Sequence, residues 1–237
     1  SLNGYEHRLC AEKFVSVRKN RIFEPMISIV IPIYNEEENL HHLYDRITAS
    51  APEWKDEYEV VLVNDGSFDG SREILQTLVD KDSRIKVLHF SRNFGHQAAI
   101  SAGIEYAKGD AVVIMDGDLQ DPPEELNRFL NKWREGYEVV YAIRTKRKEG
   151  FFKKLAYKLF YRILHWISDI SIPLDSGDFC VMDRKVVNVL KHEMPEKFRF
   201  VRGLRAFAGF KQVGVKYERH SRAAGEVKYT FRKLMGL

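Results

Sequence analysis

Residues 111–123 read AVVIMDGDLQDPP, and the fold turns on how this stretch is read. An unbroken apolar run, Ala111 to Met115, stops abruptly at Asp116-Gly117-Asp118, with Gln120 and a double proline behind it. Such a run, followed at once by turn chemistry, reads as a central strand buried on both faces. The two carboxylates then sit where the strand leaves the sheet, the edge at which open α/β sheets bind ligands. Two acids one residue apart can share one hard divalent cation. Mg2+ or Mn2+ takes one or two carboxylates and fills its remaining positions with phosphate oxygens and water. Asp-Gly is equally a turn dipeptide, so the surrounding chain has to decide between the two readings.

Working outward, similar apolar runs recur. MISIVIPIY begins at Met26, YEVVLVN spans 58–64 and ends in Asp65-Gly66-Ser67, IKVLHF spans 85–90, and YEVVYAI spans 137–143. Helices are expected between them over about 36–50, 69–79, 96–108 and 123–135. Asn35 is the expected cap of the first, with Glu36 to Glu38 complementing its N-terminal dipole. Strand and helix alternate with short connections, the signature of a parallel sheet wrapped by right-handed crossovers. Residues 26–143 therefore predict a Rossmann-like, doubly wound α/β domain.

A chain of 237 residues with 44% hydrophobic and 30% charged residues has enough apolar material for one sizeable core. Its net charge of +4 is too small to argue for nucleic acid. Cys10 and Cys180 show neither metal-ligand spacing nor a disulfide framework, which fits a reducing compartment. No signal-peptide core appears, and no run approaches the roughly 18–20 apolar residues of a membrane span. The chain as given therefore reads as not integral to a membrane, and residues 1–25 as a leader without assigned structure.

The loops at the carboxyl end of the predicted sheet carry Pro32, Tyr34, Asn35 and Glu36 after strand one, Asp65 after strand two, and Asp116, Asp118 and Gln120 after strand four. A carboxylate can accept from a base edge or a ribose hydroxyl, and a tyrosine ring can stack on a base. No GxGxxG or Walker loop is present, which argues against nucleotide binding through a glycine cradle. An acid-rich mouth repels a diphosphate unless a cation stands between them.

Four segments, VIPIYNEEENL, VLVNDGS, SRNFGHQAAISAG and MDGDLQDPPE, closely resemble glycosyltransferase family 2. Within that family they resemble the enzymes that act on polyisoprenyl phosphates. The resemblance runs over about residues 26–237 and implies a GT-A-type fold. By similarity, Pro32, Tyr34, Glu36 and Asp65 hold the base and ribose of a nucleotide sugar. Asp116 and Asp118 form the DxD-type pair, and Gln120 completes a Mg2+ or Mn2+ site. Arg92, Asn93 and His96 belong to a motif on the donor side.

Beyond strand five, Arg144, Lys146, Arg147 and Lys148 form a basic cluster. FFKKLAYKLFYRILHWISD (151–169) then shows helical period, with Phe152, Leu155, Leu159 and Ile163 as an apolar stripe beside Lys154, Lys158 and Arg162. A basic, aromatic-rich amphipathic helix suits a membrane interface; an ordinary core-facing helix with a solvated basic face is the other reading. Asp178, ahead of the short strand CVMD, is the candidate at the sugar and acceptor site. VGVKYERHSRAAGEVKYTFRKL resembles the family's basic closing motif, which implies Arg222 and Lys228, with Arg219 or His220, as phosphate contacts. Val227 stands where many relatives have serine. The last dozen residues read as a second basic amphipathic helix, so residues 220–237 form a juxtamembrane-type segment after a catalytic domain at 26–219.

The activity implied is transfer of a hexose, best read as glucose, from a UDP-sugar to a polyprenyl phosphate, with inversion, at the cytoplasmic face of a membrane. Asp118, Asp178 and Arg144 are the expected catalytic residues. Arg144, Lys154, Arg222 and Lys228 are the expected cations for the acceptor phosphate. A second copy of the chain is a candidate partner; nucleic acid is not. The rival readings are a same-fold enzyme acting on a sugar or protein hydroxyl, with Asp178 as base, and a noncatalytic nucleotide-binding membrane module.

Overall fold

The computed structural model describes residues 25–144, 176–194 and 200–218. Lys154, Arg222, Lys228 and the two amphipathic patterns at 151–169 and 220–237 lie outside the described residues, as does nearly all of the leader.

Seven strands form one sheet in the order β3-β2-β1-β4-β6-β5-β7. They are β1 (Met26–Ile33), β2 (Glu57–Asn64), β3 (Ile85–His89), β4 (Ala111–Ile114), β5 (Val139–Arg144), β6 (Ser176–Asp183) and β7 (Gln212–Tyr217). The helices are α1 (Leu40–Trp54), α2 (Ser71–Lys81), α3 (His96–Tyr106), α4 (Leu126–Arg134), α5 (Arg184–His192) and α6 (Val201–Phe207). Strands alternate their side chains between faces, and β1 shows why its apolar run has no polar interruption. Ile27, Ile29, Ile31 and Ile33 pack under α1, α2 and α4, whereas Val30 faces the layer built from α3, α5 and α6.

The parallel core β3-β2-β1-β4 matches the expectation, and β5 departs from it. β5 follows β4 in the chain, but β6 lies between them, antiparallel to both. The reason is burial. In β6, Phe179 and Val181 enter one apolar layer while Cys180 and Met182 enter the other, so the strand belongs in the middle of the sheet. Beyond it, β5 pairs in parallel with β7, and Arg144 falls opposite Tyr217.

The first helix also starts later than predicted. Asn35 does not cap it: Asn35 takes φ +52°, donates its amide to Ser67 Oγ at 2.9 Å and accepts from the Phe68 amide at 3.0 Å. Residues 35–37 are thus tied across to the segment after β2, and α1 begins only at Leu40. Among the described residues no helix is long and apolar enough to cross a membrane.

Candidate active site

The carboxyl ends of β1, β2 and β4, the amino end of the antiparallel β6 and the start of α3 converge on one acid-rich cleft. Asp65 leaves β2 and is 3% exposed. Its two carboxylate oxygens accept from the amides of Phe94 at 2.7 Å and Gly95 at 3.0 Å. Burial pushes its pKa up, and those two hydrogen bonds only partly restrain the rise. The loop it grips lies so close that a side chain at Gly66 (φ +69°) would come within 2.4 Å of the Arg92 backbone. Asp65 therefore fixes the 92–96 loop and sets where α3 begins.

His96, the first residue of α3, stands between two acids. Its Nε2 lies 3.6 Å from Asp116 Oδ1 and 3.5 Å from Asp178 Oδ2. Burial lowers the imidazole pKa, but the bond to Asp178 and the charges of Asp116, Asp178 and Asp65 outweigh it, and the net shift is upward. Asp178 is also gripped by Arg202 of α6, with Nη2 at 3.2 Å from Oδ2 and Nε at 3.4 Å from Oδ1. Burial opposes ionisation of Asp178, yet His96 and Arg202 together hold its pKa down to about 2.

Asp116 is in the opposite condition. Burial raises its pKa first, the negative charge of Asp121 adds to this, and His96 only partly offsets them; Asp118 and Asp178 push the same way. The result is a carboxyl pushed up to about 6. Asp118 is 7% exposed and accepts from the Gln120 amide at 3.2 Å. Leu119 between them takes φ +62°, an uncommon conformation for a non-glycine residue. The loop is braced from outside by Arg46, whose guanidinium pairs with Glu124 and reaches the Leu119 carbonyl at 3.4 Å.

The other expected donor residues are placed unevenly. Tyr34 sits at the rim with its ring edge-on to Phe68 at 6.1 Å. Glu36 accepts from Asn39 Nδ2 at 2.7 Å. Pro32 is buried inside β1, opposite Val63, rather than exposed on a loop. Arg92 is exposed and folds onto its own loop, 4.0 Å over the Phe94 ring. Arg144, at the end of β5, bonds to Tyr217.

Asp121, Arg202 and Tyr217 take part in this cluster and escaped the sequence reading. Asp121 carried a signal, a third acid before the double proline. Arg202 and Tyr217 are brought in by the order of the sheet.

Among the described residues, no three His, Cys, Asp or Glu side chains form a ready-made metal cage. The donor set still fits a hard divalent cation. Mg2+ is ordinarily held by one or two carboxylates plus substrate phosphates rather than by an all-protein cage. Asp116, destabilised as an anion by three neighbouring acids, is a carboxylate that such an ion would relieve.

With this geometry in hand, the chain can be compared with known proteins. The family described as "Glycosyl transferase family 2" matches residues 28–190, and the chain belongs to that family. Residues 28–190 are therefore a family 2 glycosyltransferase domain. The uncharacterized glycosyltransferase YkcC of Bacillus subtilis is 53% identical over 211 residues, 89% of this chain and 65% of that protein. The chain thus spans just under two thirds of that relative's length. A bactoprenol glucosyl transferase of Shigella phage SfX is 37% identical over 212 residues, covering 89% of this chain and 69% of that one. Among solved structures, glucosyl-3-phosphoglycerate synthase from Mycobacterium tuberculosis, in complex with Mn2+, UDP and glucosyl-3-phosphoglycerate, superposes with a TM-score of 0.56. That match covers 90% of this chain and 75% of the other, and at 16% identity it speaks to the fold.

Proposed function

We propose that this glycosyltransferase moves a hexosyl group, glucose by our reading, from a UDP-sugar to a polyprenyl phosphate at the cytoplasmic face of a membrane, with inversion. The observation that carries the reading is the state of Asp178. A carboxylate held near 2 by His96 and Arg202 is a poor proton acceptor at neutral pH. A sugar or protein hydroxyl needs such a base. A phosphate monoester does not, because its second pKa of about 6 leaves it largely dianionic near neutrality. The name of the phage relative, bactoprenol glucosyl transferase, supports both the lipid and the sugar.

In this reading Tyr34, Glu36 and Asp65 line the base and ribose end, with Pro32 beneath them and Arg92 and His96 on the donor side. Asp116, Asp118 and Gln120 would hold Mg2+ or Mn2+, which supplies positive charge to the leaving diphosphate. The M. tuberculosis neighbour's Mn2+ and UDP support that pairing. Arg144, whose Nε is buried without a hydrogen-bond partner among the described residues, presents a donor to the acceptor phosphate. Lys154, Arg222 and Lys228 would add charge there, and guanidinium groups suit such oxyanions because they bind them bidentately. An acceptor phosphate oxygen bonds to the anomeric carbon as the bond to the diphosphate breaks on the opposite face. The chain's main contributions are alignment and stabilisation of the departing charge. The basic amphipathic patterns at 151–169 and 220–237 are the proposed contacts with the lipid surface, where each basic residue contributes about 1 kcal/mol.

The test is mass spectrometry of lipid products after incubation with polyprenyl phosphate and a panel of UDP- and GDP-sugars, with and without EDTA. A glycosylated lipid phosphate formed from UDP-glucose and abolished by EDTA is expected. Product only on soluble glycans, or nucleotide binding that ignores EDTA and releases no diphosphate, overturns the reading.

A further inference from the structure

Two deeply buried polar side chains beside the cleft have no part in the chemistry above. Asp121, just past the acid loop, is 1% exposed, and Tyr217, the last residue of β7, is 3% exposed. The Tyr217 hydroxyl donates to Asp121 Oδ1. Arg144 in turn bonds to the same phenolic oxygen, and the β5–β7 register sets Arg144 directly opposite Tyr217. On its other flank the guanidinium lies against Gly177, where a Cβ would come within 3.1 Å of Arg144 Nη2. A side chain there would crowd the guanidinium. One hydrogen-bonded chain thus joins the end of β5 to the loop after β4 through the end of β7.

An arginine at the rim of an acidic cleft needs such a tether. Its long side chain has many rotamers to choose from, and Asp116 and Asp118 would attract a loose guanidinium across the mouth. Burial, and then the charge of Asp121, keep the Tyr217 phenol protonated, so it remains a donor to Asp121 while accepting from Arg144.

We propose that Tyr217 is a positioning residue: fixed by Asp121, its hydroxyl holds the Arg144 guanidinium toward the acceptor phosphate and keeps it off the acid loop. This rests on the reading above that Arg144 meets a phosphate. The acceptor and donor halves of the site are then in register through one phenol.

The test compares wild type, Tyr217→Phe, Arg144→Lys and the double variant. Removing only the hydroxyl is expected to raise KM for polyprenyl phosphate about tenfold, the usual cost of one hydrogen bond to a charged group. KM for the nucleotide sugar should stay within about twofold. In the Arg144→Lys background the same change should add nothing, because Tyr217 acts through Arg144. Additive losses, or a fall in Tm with both KM values unchanged, overturn the proposal. A second measurement is independent of the acceptor's identity. In 13C/15N arginine spectra of the full chain, rotation about the Arg144 guanidinium should be slow in wild type and fast in Tyr217→Phe. Equal rotation in the two proteins overturns the positioning role. If wild type ignores polyprenyl phosphate while Tyr217→Phe frees the guanidinium, the acceptor reading falls and the tether stands.

Discussion

Buried carboxylates stand at both ends of the sheet, and the protein treats them in opposite ways. At the amino end, Glu59 of β2 is 3% exposed. It accepts from Ser28 Oγ at 2.6 Å and the Lys108 amide at 2.7 Å, and it pairs with Lys86. Burial pushes its pKa up, but the bonds from Lys86, Ser28 and Lys108 more than offset this, and the net shift is downward. At the carboxyl end, Asp116 is crowded by Asp121, Asp118 and Asp178 and pushed up to about 6. His96 stands between it and Asp178 and only partly offsets the rise. The first carboxylate is neutralised by its own fold. Around the second, burial and the neighbouring acids outweigh the pull of His96.

The sharpest way to break this contrast is at the acid loop. Asp118→Ala is expected to lower kcat by about 10²–10³-fold, the effect of deleting one electrostatic stabiliser. Steady-state assays with Mn2+ read this directly, and near-normal turnover removes the metal assignment.

Next in size is a pair of substitutions with opposite signs. The Asp116 pKa lies near 6 in the folded protein against 3.8 unfolded, so ionisation costs the metal-free fold above pH 6. Asp116→Asn should therefore stabilise the metal-free protein at pH 8 by about 2–3 kcal/mol while abolishing transfer. The gain should shrink as pH falls from about 6 toward 4, where wild type protonates. Glu59→Gln should instead destabilise by about 1–2 kcal/mol above pH 5 by weakening a buried, charge-assisted network. Urea titrations of both variants decide the matter; the same sign for both would end the comparison.

A further effect, confined to low pH, lies on the acid limb. Asp178 is depressed to about 2 from 3.8, so its stabilising contribution is full above about pH 4 and is lost as pH falls through 2. Asp178→Asn should flatten that limb, removing about 2 kcal/mol of pH-dependent stability. An unchanged acid limb would mean that Arg202 and His96 do not grip this carboxylate.

Much of the fold was legible because the central strands are continuous apolar runs, and a run such as MISIVIPI has no competing helical period. The acid pair was legible for the same reason, since Asp116 and Asp118 interrupt such a run. The position of β6 was not legible. Its pattern SGDFCVMD shows that it is buried, but not which two strands it separates. That order depends on packing between distant segments, and it is also what brings Arg202 and Tyr217 to the cleft. The start of α1 was misjudged because Asn35 looks like a cap locally, while its partner, the Phe68 amide, lies 33 residues away.

The insertion of β6 between β4 and β5 has a consequence for biogenesis. A nascent chain released as far as residue 144 presents β4 with one side unpaired, an open template for aggregation until residues 176–183 arrive. Because that late strand also delivers Asp178, the step that joins β4 to β5 is the step that brings this acid to the cleft. Partly synthesised or clipped molecules would then lack the assembled cleft altogether.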